Sequence, residues 1–258
     1  MPSTSPVESV RRAMAILEVL GSAPSLGVKQ VAEQTMLTPS TTHRLLTTLV
    51  ETGFVRQESR TGRYHLTGRL VELAARVPDP FKDLREAARI SLDALRRETG
   101  ETANLVVLDG RDVVYVDQAE GSRSLRMFTH PGQHALAHTT GSGKAMLACH
   151  DPADLETLLP ATLEQITTKT ITTRDQLLSD LRRTRKRGFA IDHEEHEDGV
   201  SCIAAAVPGQ QAPYAAVSIS GPTSRLISAN TTQLGTRVRT AAEAVSAHLA
   251  RPTIRILG

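Results

Sequence analysis

Ser40, His43, Arg44 and Thr47 recur at spacings of three and four residues, so in a helix they share one edge, while Thr42, Leu45, Leu46 and Leu49 share another. A helix that is apolar behind, rich in donors and acceptors in front and poor in acids is what major-groove readout of duplex DNA requires. Arg44 has the fork to grip guanine bidentately, and Ser40 and Thr47 suit phosphates or base edges. An ordinary three-helix packing unit with a wetted polar face shows the same pattern, so spacing alone leaves both readings open.

Three further groupings hold reactive side chains. Gly141-Ser142-Gly143-Lys144 resembles a phosphate loop, but the first glycine of that motif would fall at His138, and Ala145 stands where Ser or Thr is needed. The run Asp192-His193-Glu194-Glu195-His196-Glu197-Asp198 is rich in metal-ligand types. Its histidines are three apart rather than the four of HExxH, so it reads as a solvated acidic loop, with a structural or adventitious zinc as the alternative, and no metal site is assigned. Cys202 and His138 make the best nucleophile and base pair, yet no third group activates them. A metabolite-binding hydrolase or transferase using these two is the rival reading; otherwise no catalytic residue and no cofactor are expected.

The elements that must hold these residues follow in order. Val10–Leu20 reads as a first helix, with Val10, Met14, Leu17 and Leu20 at helical spacing, and Val28–Thr35 as a second with Val28, Val31 and Ala32 buried. Thr38 caps a third helix, with Pro39 at its first position, and Gly53 stops it. Phe54-Val55-Arg56 and Arg63-Tyr64-His65-Leu66 form a hairpin whose tip carries Arg60 and Arg63. Three short helices and a basic hairpin are the order of a winged helix.

Gly68–Val77 reads as a connecting helix ended by Pro78-Asp79-Pro80, and Phe81–Arg97 as another helix. Strands are expected at Ala103–Asp109, Val113–Gln118, Leu125–Thr129, Phe189–Asp192, Val200–Val207 and Tyr214–Ser220, with the Gly110-Arg111 turn joining the first two. Helices are expected at Gly141–Cys149, Asp175–Arg187 and Asn230–Leu249. Hairpins among the strands argue for an α+β domain on an antiparallel sheet.

The chain has 258 residues and a net charge of +2, concentrated at one end: residues 1–69 hold eight Lys/Arg against five acids, leaving 22 and 23 for the rest. A polyanion partner is therefore expected for the first part. No apolar run approaches membrane-spanning length and no basic-then-apolar leader opens the sequence, so a cytoplasmic protein with no membrane partner is expected. Cys149 and Cys202 lie too far apart for a CxxC pair and read as free thiols.

The runs Ser9-Val10-Arg11-Arg12-Ala13-Met14-Ala15-Ile16-Leu17, Val31-Ala32-Glu33-Gln34-Thr35 and Pro39-Ser40-Thr41-Thr42-His43-Arg44-Leu45-Leu46 resemble the DNA-binding domain of IclR-family transcriptional regulators. Gly100-Glu101-Thr102, Asp109-Gly110, His138-Thr139-Thr140-Gly141-Ser142-Gly143-Lys144-Ala145, Asp192-His193-Glu194-Glu195, Gly199-Val200-Ser201-Cys202-Ile203-Ala204 and Ser218-Ile219-Ser220-Gly221-Pro222 extend the likeness across the chain. The resemblance implies a winged helix-turn-helix domain over residues 1–67, a linker helix over 68–80 and a GAF-like effector-binding domain with a central antiparallel sheet over 81–258. It implies Lys29, Pro39, Ser40, Thr41, His43, Arg44, Thr47, Arg60 and Arg63 as the DNA-contact set. It implies Gly141, Ser142, Asp192, Cys202, Ser218 and Ser220 around a small, usually acidic or aromatic effector. A double-stranded DNA operator, a small-molecule effector and a homodimer or homotetramer are the implied partners, with repression the default sign.

Helix-start amides attract a carboxylate, and hydroxyls two apart on a strand point the same way, which suits that pocket. Cys202 can equally be a small buried hydrophobe, and Ser218 and Ser220 can face solvent. Leu136-Ala137-His138 departs from the usual pattern, and the small Ala135 and Ala137 would enlarge a pocket floor.

Overall fold

The computed structural model describes residues 7–127, 129–209, 214–228 and 230–250, which divide into two compact units between Asp79 and Pro80.

The first unit runs α1 (Glu8–Gly21), α2 (Val28–Thr35), α3 (Pro39–Glu51), β1 (Val55–Gln57), β2 (Tyr64–Leu66) and α4 (Arg69–Ala74). Ile16, Leu20, Leu26, Val31, Leu46, Leu49, Val55 and Tyr64 form its core. The row foreseen on α1 is only partly inward: Val10 and Met14 are 55% and 50% exposed, because the face packed on α2 and α3 runs through Ile16 and Leu20. Met36 takes the left-handed conformation (φ 53°) that closes α2 and turns the chain into α3. Thr38 caps α3, its Oγ1 accepting from the Thr41 N–H at 3.3 Å, with Pro39 in the first turn. Leu26 and Tyr64 exchange both backbone hydrogen bonds (2.9 and 2.8 Å), so the loop before α2 is stitched to the hairpin. The connector is shorter than 68–77: α4 has six residues, and Val71, Leu73 and Val77 on and after it are exposed.

In the second unit α5 (Lys82–Thr99) leads into β3 (Thr102–Asp109) and β4 (Asp112–Ala119), then β5 (His134–Leu136), a 3₁₀ turn (Ala137–Thr139), α6 (Gly141–Leu147) and α7 (Pro152–Leu158). There follow α8 (Arg174–Arg187), β6 (Ala190–His193), β7 (Val200–Ala206), β8 (Ala215–Pro222), α9 (Thr223–Leu226) and α10 (Thr231–Leu249). The six strands form one antiparallel sheet in the order β5-β4-β3-β8-β7-β6, an α+β fold.

Alternation sorts the strands' side chains between two faces. Leu105, Val107, Ile203, Ala205, Val217 and Ile219 face one way, into a core completed by α5 and α10. Val106, Leu108 and Ala216 face the other, toward Met146, Leu147, Leu177 and Leu181 of α6 and α8. Ala135 and Ala137 belong to this second cluster, and a Cβ at Gly143 would overlap the Ala137 carbonyl oxygen, so α6 lies directly on that turn.

The strand expected over Leu125–Thr129 does not form at 125–127 or 129, and Phe128 lies outside the described residues. The carbonyls of Leu125 and Met127 accept instead from Arg225 Nη2 and Thr102 Oγ1, each at 2.8 Å, which removes them from any ladder. The edge strand beside β4 is β5, paired through Val113 and Ala135, and β6 forms the other edge. Among the described residues no helix is long and apolar enough to cross a membrane.

Candidate functional site

On α3 the two edges separate by burial. Thr42, Leu46 and Leu49 are buried, whereas Ser40, His43, Arg44 and Thr47 are exposed and Pro39 and Thr41 flank them at the helix start. Among the described residues the Arg44 guanidinium has no ion-pair partner, so its donors are free for an incoming acceptor. Thr47 Oγ1 donates to the His43 carbonyl at 3.0 Å and keeps its lone pairs outward. Lys29 is exposed in the first turn of α2, and Arg60 is exposed at the hairpin tip. Arg63 is placed differently. It is half-buried, with Nε on Ser25 Oγ (2.9 Å) and Nη2 on the Ser25 carbonyl (2.5 Å), and so ties the hairpin to the loop before α2.

The second set of residues converges in the other unit. Strand register places Asp192, Cys202, Ser220 and Thr102 side by side across β6, β7, β8 and β3. Ala190, Ala204, Ser218 and Asn104 form the next row on the same face. α6 begins over this patch: a Cβ at Gly141 would lie 3.0 Å from both the carbonyl oxygen and the Sγ of Cys202, so any side chain there would press on β7. Ser142, Asp192, Cys202, Ser218 and Ser220 are each at most 6% exposed, which excludes the solvent-facing alternative for the two serines.

Burial sets the charge states. The Asp192 carboxyl is pushed up to about 7 by desolvation, against backbone N–H groups of Glu195 (2.7 Å to Oδ1) and His196 and the Lys144 cation, which pull it down. The Cys202 thiol is pushed up to about 11 by burial and by Asp192, with the Ser220 and Ser218 hydroxyls and the Ser142 N–H opposing. Tyr115 on β4 is driven up by burial and by the same two neighbours. The Ser218 hydroxyl stands near the sulfur but makes no hydrogen bond of ordinary geometry.

The run from Asp192 to Asp198 is not a solvated loop throughout. Asp192 and Glu195 are 3% and 7% exposed, and Glu195 pairs with Lys144. Lys144, 1% exposed, also faces Asp180 Oδ2 at 3.2 Å, and Arg183 holds Asp180 Oδ1 at 3.0 Å. This ion cluster joins α6, α8 and the loop after β6, with partners so distant in sequence that no local pattern announces it. Among the described residues no group of three or more His, Cys, Asp and Glu is arranged to hold a metal.

The Cys202 and His138 pairing does not assemble. The His138 Nε2 is bonded to the Glu164 carbonyl at 2.9 Å, and a thiol raised to about 11 stays protonated at neutral pH, the opposite of an activated nucleophile.

The sequence matches the IclR helix-turn-helix domain over residues 9–59 and the bacterial transcriptional regulator IclR C-terminal domain over residues 81–247. It is 36% identical over 253 residues to the transcriptional repressor IclR of Escherichia coli (strain K12), spanning 95% of this chain and 91% of that protein. It is also 36% identical over 247 residues to the HTH-type transcriptional regulator BhcR of Paracoccus denitrificans, spanning 93% and 86%. The crystal structure of the Thermotoga maritima IclR is similar, with 29% identity and a TM-score of 0.69 over 94% of this chain and 99% of that one.

Proposed function

The chain belongs to the IclR family of bacterial transcriptional regulators, and on that premise we propose that it is a cytoplasmic, homo-oligomeric repressor whose hold on its operator is set by a small organic or aromatic acid. Residues 1–67 are the DNA-binding domain, 68–80 the linker and 81–258 the effector domain. Ser40, His43, Arg44 and Thr47 enter the major groove, with Pro39 and Thr41 at the helix start and Lys29 on flanking phosphates. Arg60 meets the backbone beside the groove, and Arg63 acts there with its spare donor while its others hold the hairpin in place.

The observation that carries the effector reading is convergence. Gly141, Ser142, Asp192, Cys202, Ser218 and Ser220 come from one helix and three strands and meet in a single buried polar patch. The hydroxyls and the Gly141 amide suit a carboxylate, with the Ser142 N–H shared with the Cys202 sulfur, and a protonated Asp192 can donate to it rather than repel it. Ligand occupancy and operator affinity are then linked, each shifting the other by the same factor. Repression as the sign is supported by the E. coli relative's name. A dimer or tetramer would match its two-fold symmetry to a palindromic operator.

Footprinting of the DNA upstream of the neighbouring gene, with and without a panel of small carboxylic acids, tests this. The expected result is a protected site whose occupancy falls with one acid. Protection insensitive to every acid would overturn the effector reading, and no protected site would overturn the operator reading.

A further inference from the structure

The first unit carries a cleft of about 640 Å³ between α1 and α3 that reaches the reading edge at Arg44. Ala13 and Leu45 line its apolar side, and Glu8, Arg12, Thr41 and Arg44 its polar side. Three of these four polar groups suit a phosphate. Arg12 gives its Nε to Glu8 Oε1 at 2.7 Å, and its two terminal amino groups have no acceptor among the described residues. The Thr41 hydroxyl accepts from Thr38 Oγ1 at 3.0 Å, which leaves its own proton unspent among the described residues.

Glu8 is the exception, since a bare carboxylate here would repel a phosphate. It is already occupied. Arg11 holds it through Nε at 2.9 Å and Nη2 at 2.7 and 2.6 Å, and Arg12 holds it from the cleft side. Hydrogen bonds from Arg11 and then Arg12 keep the Glu8 carboxyl below its ordinary pKa. Both pairs are exposed and lie within one helix, a class of ion pair that holds weakly and is screened by salt. An acid in a first turn satisfies the helix dipole by itself. Two arginines turned back onto it, one of them lining a cleft that ends at Arg44, are more than that role requires. The cleft carries two arginines against one acid, so a strand of the DNA backbone fits it, with phosphate on Arg12 and Thr41 and sugar against Ala13 and Leu45.

We propose that Arg12 and Thr41 form a phosphate site at the margin of the reading helix, and that Glu8 is an internal stand-in for that phosphate, a positioning residue that holds Arg12 until DNA takes it over. This rests on the DNA-binding reading above and adds to it a contact from α1 with its own built-in competitor.

The test is fluorescence anisotropy of the full chain with a labelled random-sequence duplex over a salt series, because a backbone contact needs no operator. Arg12→Gln should lower the salt-dependence slope by about one. Arg11→Gln removes the same charge from the same helix but outside the cleft, and should change the slope far less. Glu8→Gln should tighten binding about two- to fivefold, the strength of an exposed ion pair. Most of that gain should vanish in the double variant Glu8→Gln/Arg12→Gln. An unchanged slope for Arg12→Gln, equal effects of the two arginine variants, or a gain that survives in the double variant overturns the inference and leaves the DNA-binding reading intact. So does sedimentation in which Arg12→Gln yields a smaller species than wild type, since the cleft then belongs to a second copy. Absence of duplex binding by the wild-type protein at low salt overturns the DNA-binding reading, and the inference with it.

Discussion

In α3 the side chains Ser40, His43, Arg44 and Thr47 come from one short stretch and all reach solvent, whereas Asp192, Cys202, Ser218 and Ser220 come from three strands and are all buried. The two regions present polar groups under opposite constraints. An exposed donor keeps its water until a partner replaces it, so α3 can leave Arg44 unpaired at no cost to folding. A buried polar group must be paired or it destabilises the fold, so the sheet surrounds its patch with the Lys144 cluster, the Asn104 amide and backbone N–H groups. The Ser218 hydroxyl makes no hydrogen bond of ordinary geometry even so.

The comparison breaks most visibly at Lys144. Lys144→Met leaves buried Glu195 without its cation and Asp180 with Arg183 alone, and should cost the second unit about 3–5 kcal/mol. Hydrogen exchange should accelerate in β6–β8 while α1–α3 keep their protection. A uniform loss in both units would contradict the separation of roles. The counterpart on the exposed side is Arg44→Ala. It should weaken operator binding roughly ten- to hundredfold and relax base preference. The denaturation midpoint should stay put, since no folded-state partner is lost; gel-shift and urea titrations read the two quantities.

Acidity sharpens the contrast next. Asp192 is raised to about 7 from 3.8, so across that interval the folded state holds a proton the unfolded state has released. Its contribution to stability is full below the unfolded value and is lost as pH rises toward 7. Asp192→Asn should therefore gain on wild type by up to a few kcal/mol as pH goes from 5 to 8. Glu195, also raised, and Asp180 and His196, both lowered, are present in both proteins; of these Glu195 repels a charged Asp192, so the pH-dependent difference reads Asp192 together with its coupling to Glu195. A pH-independent difference in urea midpoints would contradict the buried assignment. The smallest effect belongs to the hairpin tip: Arg60→Gln should lower the salt-dependence slope of duplex binding by about one and shift affinity only modestly.

The same contrast decides what could be read before the fold was known. α3 was legible because cap, proline, apolar edge and polar edge lie within one local run and helical spacing projects them directly. Asn104 and Thr129 carry no local signal, because their placement comes from register with β8 and from a loop contact. The acidic run after Asp192 looked solvated because composition does not reveal that Lys144 reaches it from α6, 51 residues earlier. Leu125–Thr129 has the apolar content of a strand, but its carbonyls are taken by Thr102 and Arg225. On α1 the periodicity was right, and which edge faced inward depended on α2 and α3 packing against Ile16 and Leu20.

Selection of duplexes from a random library by the full chain tests the central claim most directly. The account predicts enrichment of a two-fold-related site by the wild-type protein and loss of that enrichment when Ser40, His43, Arg44 and Thr47 are all replaced by alanine. A wild-type protein that retains no sequence above background, or a quadruple variant that enriches the same site, would contradict it.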